Sequence, residues 1–257
     1  MLNKAKELTG YTLQSLDGEI GKVKEFYFDD QHWAVRYLVA DTGTWLSGRQ
    51  VLISPYALSA VNSDKKQITV QLTSGQIEGS PSLDADQPVS KQFEETYYKH
   101  YGWPLYWSGF FMWGPSPYIA RKGDKPRAAN PGGKPWNPSL RSTHEVSGYH
   151  IQASDGEVGH VDDFVIDDEN WAIRYLVIDT RNWWPGKSVL ISPRWIDRVD
   201  WDEAKVSVNL TPDSIKKSPE FTPLSLITRD YETSLHGHHN RKGYWIDEST
   251  DREQSNR

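Results

Sequence analysis

The segment from Thr9 to Trp107 recurs as Ser147 to Trp245, each residue displaced by 138 positions, with no insertion or deletion. Gly10-Tyr11 maps onto Gly148-Tyr149, Asp17-Gly18-Glu19 onto Asp155-Gly156-Glu157, and Tyr106-Trp107 onto Tyr244-Trp245. Trp33-Ala34-Val35-Arg36-Tyr37-Leu38-Val39 maps onto Trp171-Ala172-Ile173-Arg174-Tyr175-Leu176-Val177, and Val51-Leu52-Ile53-Ser54-Pro55 onto Val189-Leu190-Ile191-Ser192-Pro193. About half of the positions are identical over the first three-quarters of the unit, far above chance for unrelated segments. One domain is present twice, so every candidate site has a twin against which to test it.

A chain of 257 residues accommodates two domains of about 100 residues and a linker. Each copy is large enough to close one modest hydrophobic core. The absence of cysteine excludes disulfides, thiolate metal sites and cysteine nucleophiles. Met1–Glu7 lacks the apolar stretch of a secretory signal, and no apolar run approaches the roughly 20 residues of a spanning helix. A soluble, cytoplasmic protein is the expectation. The net charge of −6 weighs against nucleic acid as a partner, because phosphate neutralisation by a basic face supplies most of such affinity. Of the twelve Trp residues, Trp33/Trp171, Trp45/Trp183 and Trp107/Trp245 are matched between copies, which suggests packing. Trp103, Trp113, Trp136, Trp184, Trp195 and Trp201 are unmatched and are candidates for copy-specific contacts.

Within the first copy, Tyr11–Gln14 reads as a short extended stretch. Asp17-Gly18, like Asp155-Gly156, is the strongest hairpin signal, because glycine accepts positive φ and aspartate bonds its own backbone. Ile20–Phe28 and Trp33–Ala40 read as strands from their alternation and their β-branched and aromatic content. Val51–Ile53, Leu58–Val61 and Ile68–Leu72 complete a set of six, with turn spacing typical of a small antiparallel barrel or sandwich. Thr73–Ile77 and Thr211–Ile215 are predicted to be capped helical turns, with threonine as N-cap and Pro212 at the first helical position. A longer helix is expected over Ser90–His100 and again over Thr228–His238.

The units therefore span 1–107 and 143–246, each with a trailing helix. Between them, 108–142 is a linker, aromatic at first (Phe110, Phe111, Met112, Trp113) and then basic and rich in Pro and Gly. Residues 247–257 form a charged tail, expected to be disordered.

The ordered pattern now resembles a known family. Gly-Tyr, then Asp-Gly-Glu-(Ile/Val)-Gly, Phe-x-x-Asp-Asp, Trp-Ala-(Val/Ile)-Arg-Tyr-Leu-Val-x-Asp-Thr and Val-Leu-Ile-Ser-Pro is similar to the PRC-barrel domain. That module is named for the cytoplasmic part of the photosynthetic reaction-centre H subunit, and it is also similar to the C-terminal domain of a ribosome maturation factor. The resemblance covers Gly10–Pro81 and Gly148–Pro219. It implies an all-β chain with short helices, built as two tandem six-stranded barrels; the duplication adds the expectation that they pack as an intramolecular pseudo-dimer through the matched aromatics. It also implies protein binding, with no catalytic apparatus and no cofactor attached to the fold. The membrane helix of the reaction-centre subunit and the N-terminal domain of the ribosomal factor have no counterpart here.

Candidate sites are weighed against structural explanations. His236, His238 and His239 have imidazoles close enough in sequence to share a metal ion, but the offset places them over Tyr98, His100 and Tyr101, and a solvated tail is preferred. Asp29-Asp30 and Asp167-Asp168 could hold calcium, but they lack the spaced ligands of a calcium loop, and turn chemistry is preferred. Arg36 and Arg174 lie mid-strand, on the face opposite Tyr37 and Tyr175, and Asp41 and Asp179 close those strands. An internal ion pair or carbonyl clamp is preferred over an anion site. Trp33, Trp171, Gly18 and Gly156 are read as structural. Phe110, Phe111, Met112 and Trp113 are the leading partner-binding candidates.

The functional expectation is a non-enzymatic adaptor or scaffold that binds a protein partner, in a stress-related setting or alongside membrane complexes. The alternatives are a ribosome- or RNA-processing-associated factor, and a peripheral component of photosynthetic or electron-transport assemblies. Peripheral membrane association and homo-oligomers are compatible with this reading.

Overall fold

The long central hairpin of each copy organises the rest. In the computed structural model, which describes residues 1–81, 89, 91–106, 140–180, 188–222 and 227–247, a strand Leu2–Lys4 (β1) and a helical turn Ala5–Leu8 (α1) precede Thr12–Gln14 (β2). Then come Glu19–Asp29 (β3) and Ala34–Asp41 (β4), paired antiparallel from Lys22↔Asp41 to Asp29↔Ala34. Gln50–Ile53 (β5), Leu58–Asn62 (β6) and Gln67–Val70 (β7) follow, then the helices Ser74–Glu78 (α2) and Lys91–Tyr101 (α3).

The second copy repeats the series as Leu140–Ser142 (β8), Thr143–Val146 (α4), His150–Ala153 (β9), Gly156–Asp167 (β10), Ile173–Asp179 (β11), Ser188–Ile191 (β12), Ile196–Asp200 (β13) and Lys205–Val208 (β14). Pro212–Lys216 (α5) and Arg229–His238 (α6) close it. The expected class holds, with mostly β structure, a few short helices and two sheets. The strand orders are β5-β4-β3-β2-β7-β6 and β12-β11-β10-β9-β14-β13.

Three details depart from the sequence reading. Each sheet has a seventh short strand, β8 beside β3 and β1 beside β10. A three-residue strand is too short for alternation to register. The equivalence between copies thus starts earlier than the aligned repeat: Leu140 lies 138 positions after Leu2, so β8 belongs to a domain although it falls inside the stretch assigned to the linker. Finally, the sheets are not wholly antiparallel, since β2 pairs with β7, and β9 with β14, in parallel.

By contacts the chain divides into two compact units. One comprises Asn3–Thr143 with Met1 and Asp168–Ala172, and the other His144–Asp167 and Ile173–Arg257 with Leu2.

Local chemistry accounts for the turns. The Ser15 hydroxyl donates to the Gly18 carbonyl (2.7 Å) and accepts from the Gly18 amide (3.1 Å). The Asp17 carboxylate accepts from the amide and hydroxyl of Ser74 (2.7 and 2.9 Å), fastening the start of α2. Thr73 caps α2 in a capping box with Gln76, and Thr211 caps α5 by accepting from the Ser214 amide, with Pro212 in the first turn. At the tip of the β3–β4 hairpin, Asp29 accepts from the amides of Gln31 (2.7 Å) and His32 (3.2 Å), and Trp33 takes φ +54°. Its twin Trp171 has φ +59°. A left-handed tryptophan is disfavoured locally, yet both side chains are buried. Burial of a large ring offsets the backbone cost.

Candidate functional site

The most elaborate arrangement in the molecule is a buried ladder of charged and aromatic groups between the central hairpin and the trailing helix. Its first rung is an ion pair: Arg36 Nη2 donates to Asp29 Oδ2 at 2.9 Å, and both side chains are buried. In the second copy, Arg174 donates from Nε (3.1 Å) and Nη2 (2.8 Å) to Asp167 Oδ2. The arginine partner is thus the aspartate at the end of the preceding strand. Asp41 instead accepts from the Gly43 amide at 2.9 Å, and Asp179, also at a strand end, lies 4.0 Å from His160.

A bulge brings Arg36 into place. Tyr27 pairs with Tyr37 and Phe28 with Val35, which leaves Arg36 as an extra residue on β4, and the same shift isolates Arg174 on β11. Strict alternation would send Arg36 and Tyr37 to opposite faces. The bulge re-aims the chain, and both side chains reach one cluster.

The upper rungs come from the helix and the segment after it. The Arg36 guanidinium lies 4.2 Å from the centre of the Tyr106 ring, and that of Arg174 lies 3.9 Å from Tyr244, a cation–π contact in both copies. Tyr106 and Tyr37 each donate to Glu94 Oε1 at 2.9 Å. Tyr244 (2.9 Å) and Tyr175 (2.8 Å) do the same to Glu232 Oε1. Glu94 is 0 % exposed and Glu232 2 %, so each carboxylate depends on these donors. In the second copy Arg229 adds an ion pair at 3.0 Å to Glu232 Oε2.

Around this shared ladder the copies diverge. The first surrounds it with rings. Tyr97 donates to the Leu52 carbonyl at 2.9 Å and accepts from the Ser54 amide at 3.0 Å. Trp103 stacks on Tyr101 at 4.5 Å and on Tyr56 at 5.8 Å, and Tyr56 is 37 % exposed. The second copy places histidines here. His236, on α6, is 2 % exposed, with Nδ1 donating to the Lys242 carbonyl (3.0 Å) and Nε2 3.1 Å from the Tyr175 hydroxyl. Trp195 packs on His236 at 5.1 Å and on His239 at 4.8 Å.

Burial and neighbouring charges move several of these groups away from neutral pH. For Asp29, burial opposes ionisation, but the attraction of Arg36 and the His32 contact outweigh it, and the carboxyl is held well below the usual range. Arg36 is raised in turn: burial works against its charge, and Asp29 more than compensates. Burial, reinforced by neighbouring Glu94 or Glu232, drives Tyr37, Tyr106, Tyr175 and Tyr244 upward. Burial lowers His236 and His239 to about 4, helped by Arg194 and Arg229 around the former and His238 around the latter.

Depressed imidazoles have a measurable consequence. The unfolded chain takes up protons at His236 and His239 as pH falls below about 6.5, whereas the fold resists until about 4. The second unit should therefore lose about 3 kcal/mol per imidazole, on the order of 6 kcal/mol in all, across that window, with its full stability above it. The first unit has tyrosines at these positions and should be flatter. Hydrogen exchange read separately on peptides of each unit tests this. The double variant H236Y/H239Y should abolish the slope, and a slope that survived would refute the assignment.

The other sequence candidates fall as follows. His236 and His239 are buried structural groups, which overturns the solvated-tail reading for those two. His238 is exposed and donates to the Ser214 carbonyl at 2.8 Å, as His100 does to the Gln76 carbonyl at 3.1 Å. Among the described residues no group of His, Cys, Asp or Glu could hold a metal ion. Phe110, Phe111, Met112 and Trp113 lie outside the described residues, as does the chain beyond Asp247. Of the unmatched tryptophans, Trp195 is buried, where the first copy has Ala57.

Sequence reasoning singled out neither Glu94 nor Glu232, although a signal was present. Both fall on weakly patterned helices, yet both are identical at the repeat offset, and so are the tyrosines they bind.

The comparisons agree with this duplication. The family model described as the PRC-barrel domain matches residues 3–77 and again 140–214, so the second match begins at β8, inside the stretch read as linker. No curated protein matches the chain. Among the described residues, no helix is long and apolar enough to cross a membrane. Two matched spans that together exceed half of the chain place this protein in the PRC-barrel domain family.

Proposed function

We propose that the protein is a non-enzymatic adaptor or scaffold that binds another protein through its two PRC-barrel domains. Its contact residues would be the Tyr56–Trp103–Tyr101 stack of the first unit and, as a separate candidate argued from sequence alone, the linker aromatics Phe110, Phe111, Met112 and Trp113. The supporting observation is how the ladder is used. In both copies Asp29/Asp167, Arg36/Arg174, Tyr37/Tyr175, Glu94/Glu232 and Tyr106/Tyr244 bond one another and tie the trailing helix to the sheet. General acid–base catalysis favours a group that titrates near the working pH. The shifted groups of this cluster move away from neutrality: the tyrosines up, Asp29 down, His236 and His239 to about 4. Large rigid aromatics at a surface, such as the 37 % exposed Tyr56 stacked on Trp103, are typical anchors of protein interfaces.

Crosslinked affinity capture with the full chain tests the reading. A specific partner should be recovered with the wild type and lost with Y56A/W103A or with the triple variant F110A/F111A/W113A. A partner set unchanged by both variants would remove this surface from consideration.

A further inference from the structure

The divergence around the ladder changes the character of one face. Tyr56, Trp103, Tyr98 and Tyr101 of the first unit correspond to Arg194, Arg241, His236 and His239 of the second. In a chain of net charge −6, this gathers Arg194, Arg229 and Arg241 around one aromatic centre. The contacts are specific. Arg229 lies 4.2 Å from the centre of the Trp245 ring, and Trp245 packs on His236 at 5.1 Å. Arg194 is the neighbour of Trp195, which packs on the same imidazole at 5.1 Å. The Arg241 amide donates to the His236 carbonyl at 2.9 Å, and Arg241 Nη2 donates to the Asn209 carbonyl at 3.1 Å.

These arginines are held in place rather than loosely solvated. A guanidinium stacked on an indole, or tied to a carbonyl, has already lost much of its rotamer freedom and keeps other N–H groups for a planar anion. Arg229 uses Nη1 on Glu232 at 3.0 Å, yet its side chain is 52 % exposed. The face also carries an indication of the anion it accepts. The Asp247 carboxylate, at the edge of the patch, forms an ion pair with Arg194 at 2.5 Å, and its side chain is 53 % exposed. A pair this accessible exchanges readily with a competing carboxylate, because water screens it.

We propose that this face of the second unit docks an acidic segment of a partner protein, whose carboxylates engage Arg194, Arg229 and Arg241 and displace the chain's own Asp247. Charge favours this occupant over a nucleic acid: three arginines neutralise few phosphates, and the rest of the chain repels a polyanion. The carboxylate already on Arg194 favours it over a lipid headgroup. This surface is distinct from the aromatic one proposed above, so either can fail while the other stands.

The test is fluorescence anisotropy of the full chain with a labelled octaglutamate peptide, and with octaglutamine as its neutral control. Only the glutamate peptide should bind, and raising salt from 50 to 500 mM should weaken binding at least about tenfold. The variant R194A/R241A should lose about tenfold or more in affinity at unchanged melting temperature, and D247A should bind several-fold more tightly. R194K/R241K, which keeps the charge, should recover part of the loss. Equal binding of octaglutamine would overturn the proposal, as would undiminished affinity in R194A/R241A. So would tighter binding of a single-stranded oligonucleotide or of phosphatidylserine vesicles.

Discussion

Arg36→Ala should lower the stability of the first unit by about 3–5 kcal/mol, the range found when one partner of a buried ion pair is removed. The substitution leaves the Asp29 carboxylate buried without its guanidinium and strips the cation from the face of Tyr106. The damage comes from the abandoned charge more than from the lost attraction, so a second change should repair it. In R36M/D29N the buried charges are gone, while the asparagine oxygen still accepts from the amides of Gln31 and His32. This variant should regain most of the lost stability, since buried pairs are often replaced without penalty by well-packed neutral groups. The single variant should also blunt the acid response of the first unit. Asp29 is depressed in the fold, so its contribution is full above the ordinary carboxylate range and fades as pH falls through the lower folded value. Denaturant melts followed by unit-resolved hydrogen exchange would measure all three effects. A loss below about 1 kcal/mol in R36A, or no repair in the double variant, would show that the ladder is decorative.

A comparable loss, about 4 kcal/mol, is expected from Gly21→Ala in the first unit and from Gly159→Ala in the second. A Cβ at position 21 would stand 2.1 Å from the Asp41 carbonyl oxygen, and one at position 159 would stand 2.2 Å from that of Asp179. Both glycines also have left-handed backbones, with φ +130° and +142°, where alanine is strained even in open space. The atom in the way is backbone of the strand that closes the central hairpin, so no side-chain rotation relieves it. Gly18→Ala is the useful contrast, because nothing lies within 4 Å of its added methyl group and its φ of +159° is nearly extended. It should cost well under half as much. Equal losses at positions 18 and 21 would mean that the close approach to Asp41 is not what makes glycine necessary.

Much of the architecture was legible in the chain because its signals are local. The Asp17-Gly18 turn, the threonine caps of α2 and α5, and the alternation of β3 and β4 all lie within windows of ten or so residues. The six predicted strands and both trailing helices match the observed elements closely, and the fixed spacing of the repeat identified two copies of one domain. Two kinds of feature escaped. The parallel pairing of β2 with β7 joins segments more than 50 residues apart, and local periodicity carries no information about which strand lies alongside. The bulge at Arg36 violates the very alternation used to read β4, so the residue was assigned to the face away from Tyr37.

The amino-acid sequence by itself determined that a domain was copied in tandem, which residues the copies kept, and that both arginines belong to strand interiors. Only the tertiary structure decided what those residues do. Asp29, Arg36, Tyr37, Glu94 and Tyr106 come from two strands, a helix and the segment after it, and they become one ladder only when burial forces each charge to find its partner. The same holds for His236 and His239. In sequence they sit near the end of the chain, where solvation is the natural assumption, and the packing of α6 under Trp195 and Trp245 removes them from water.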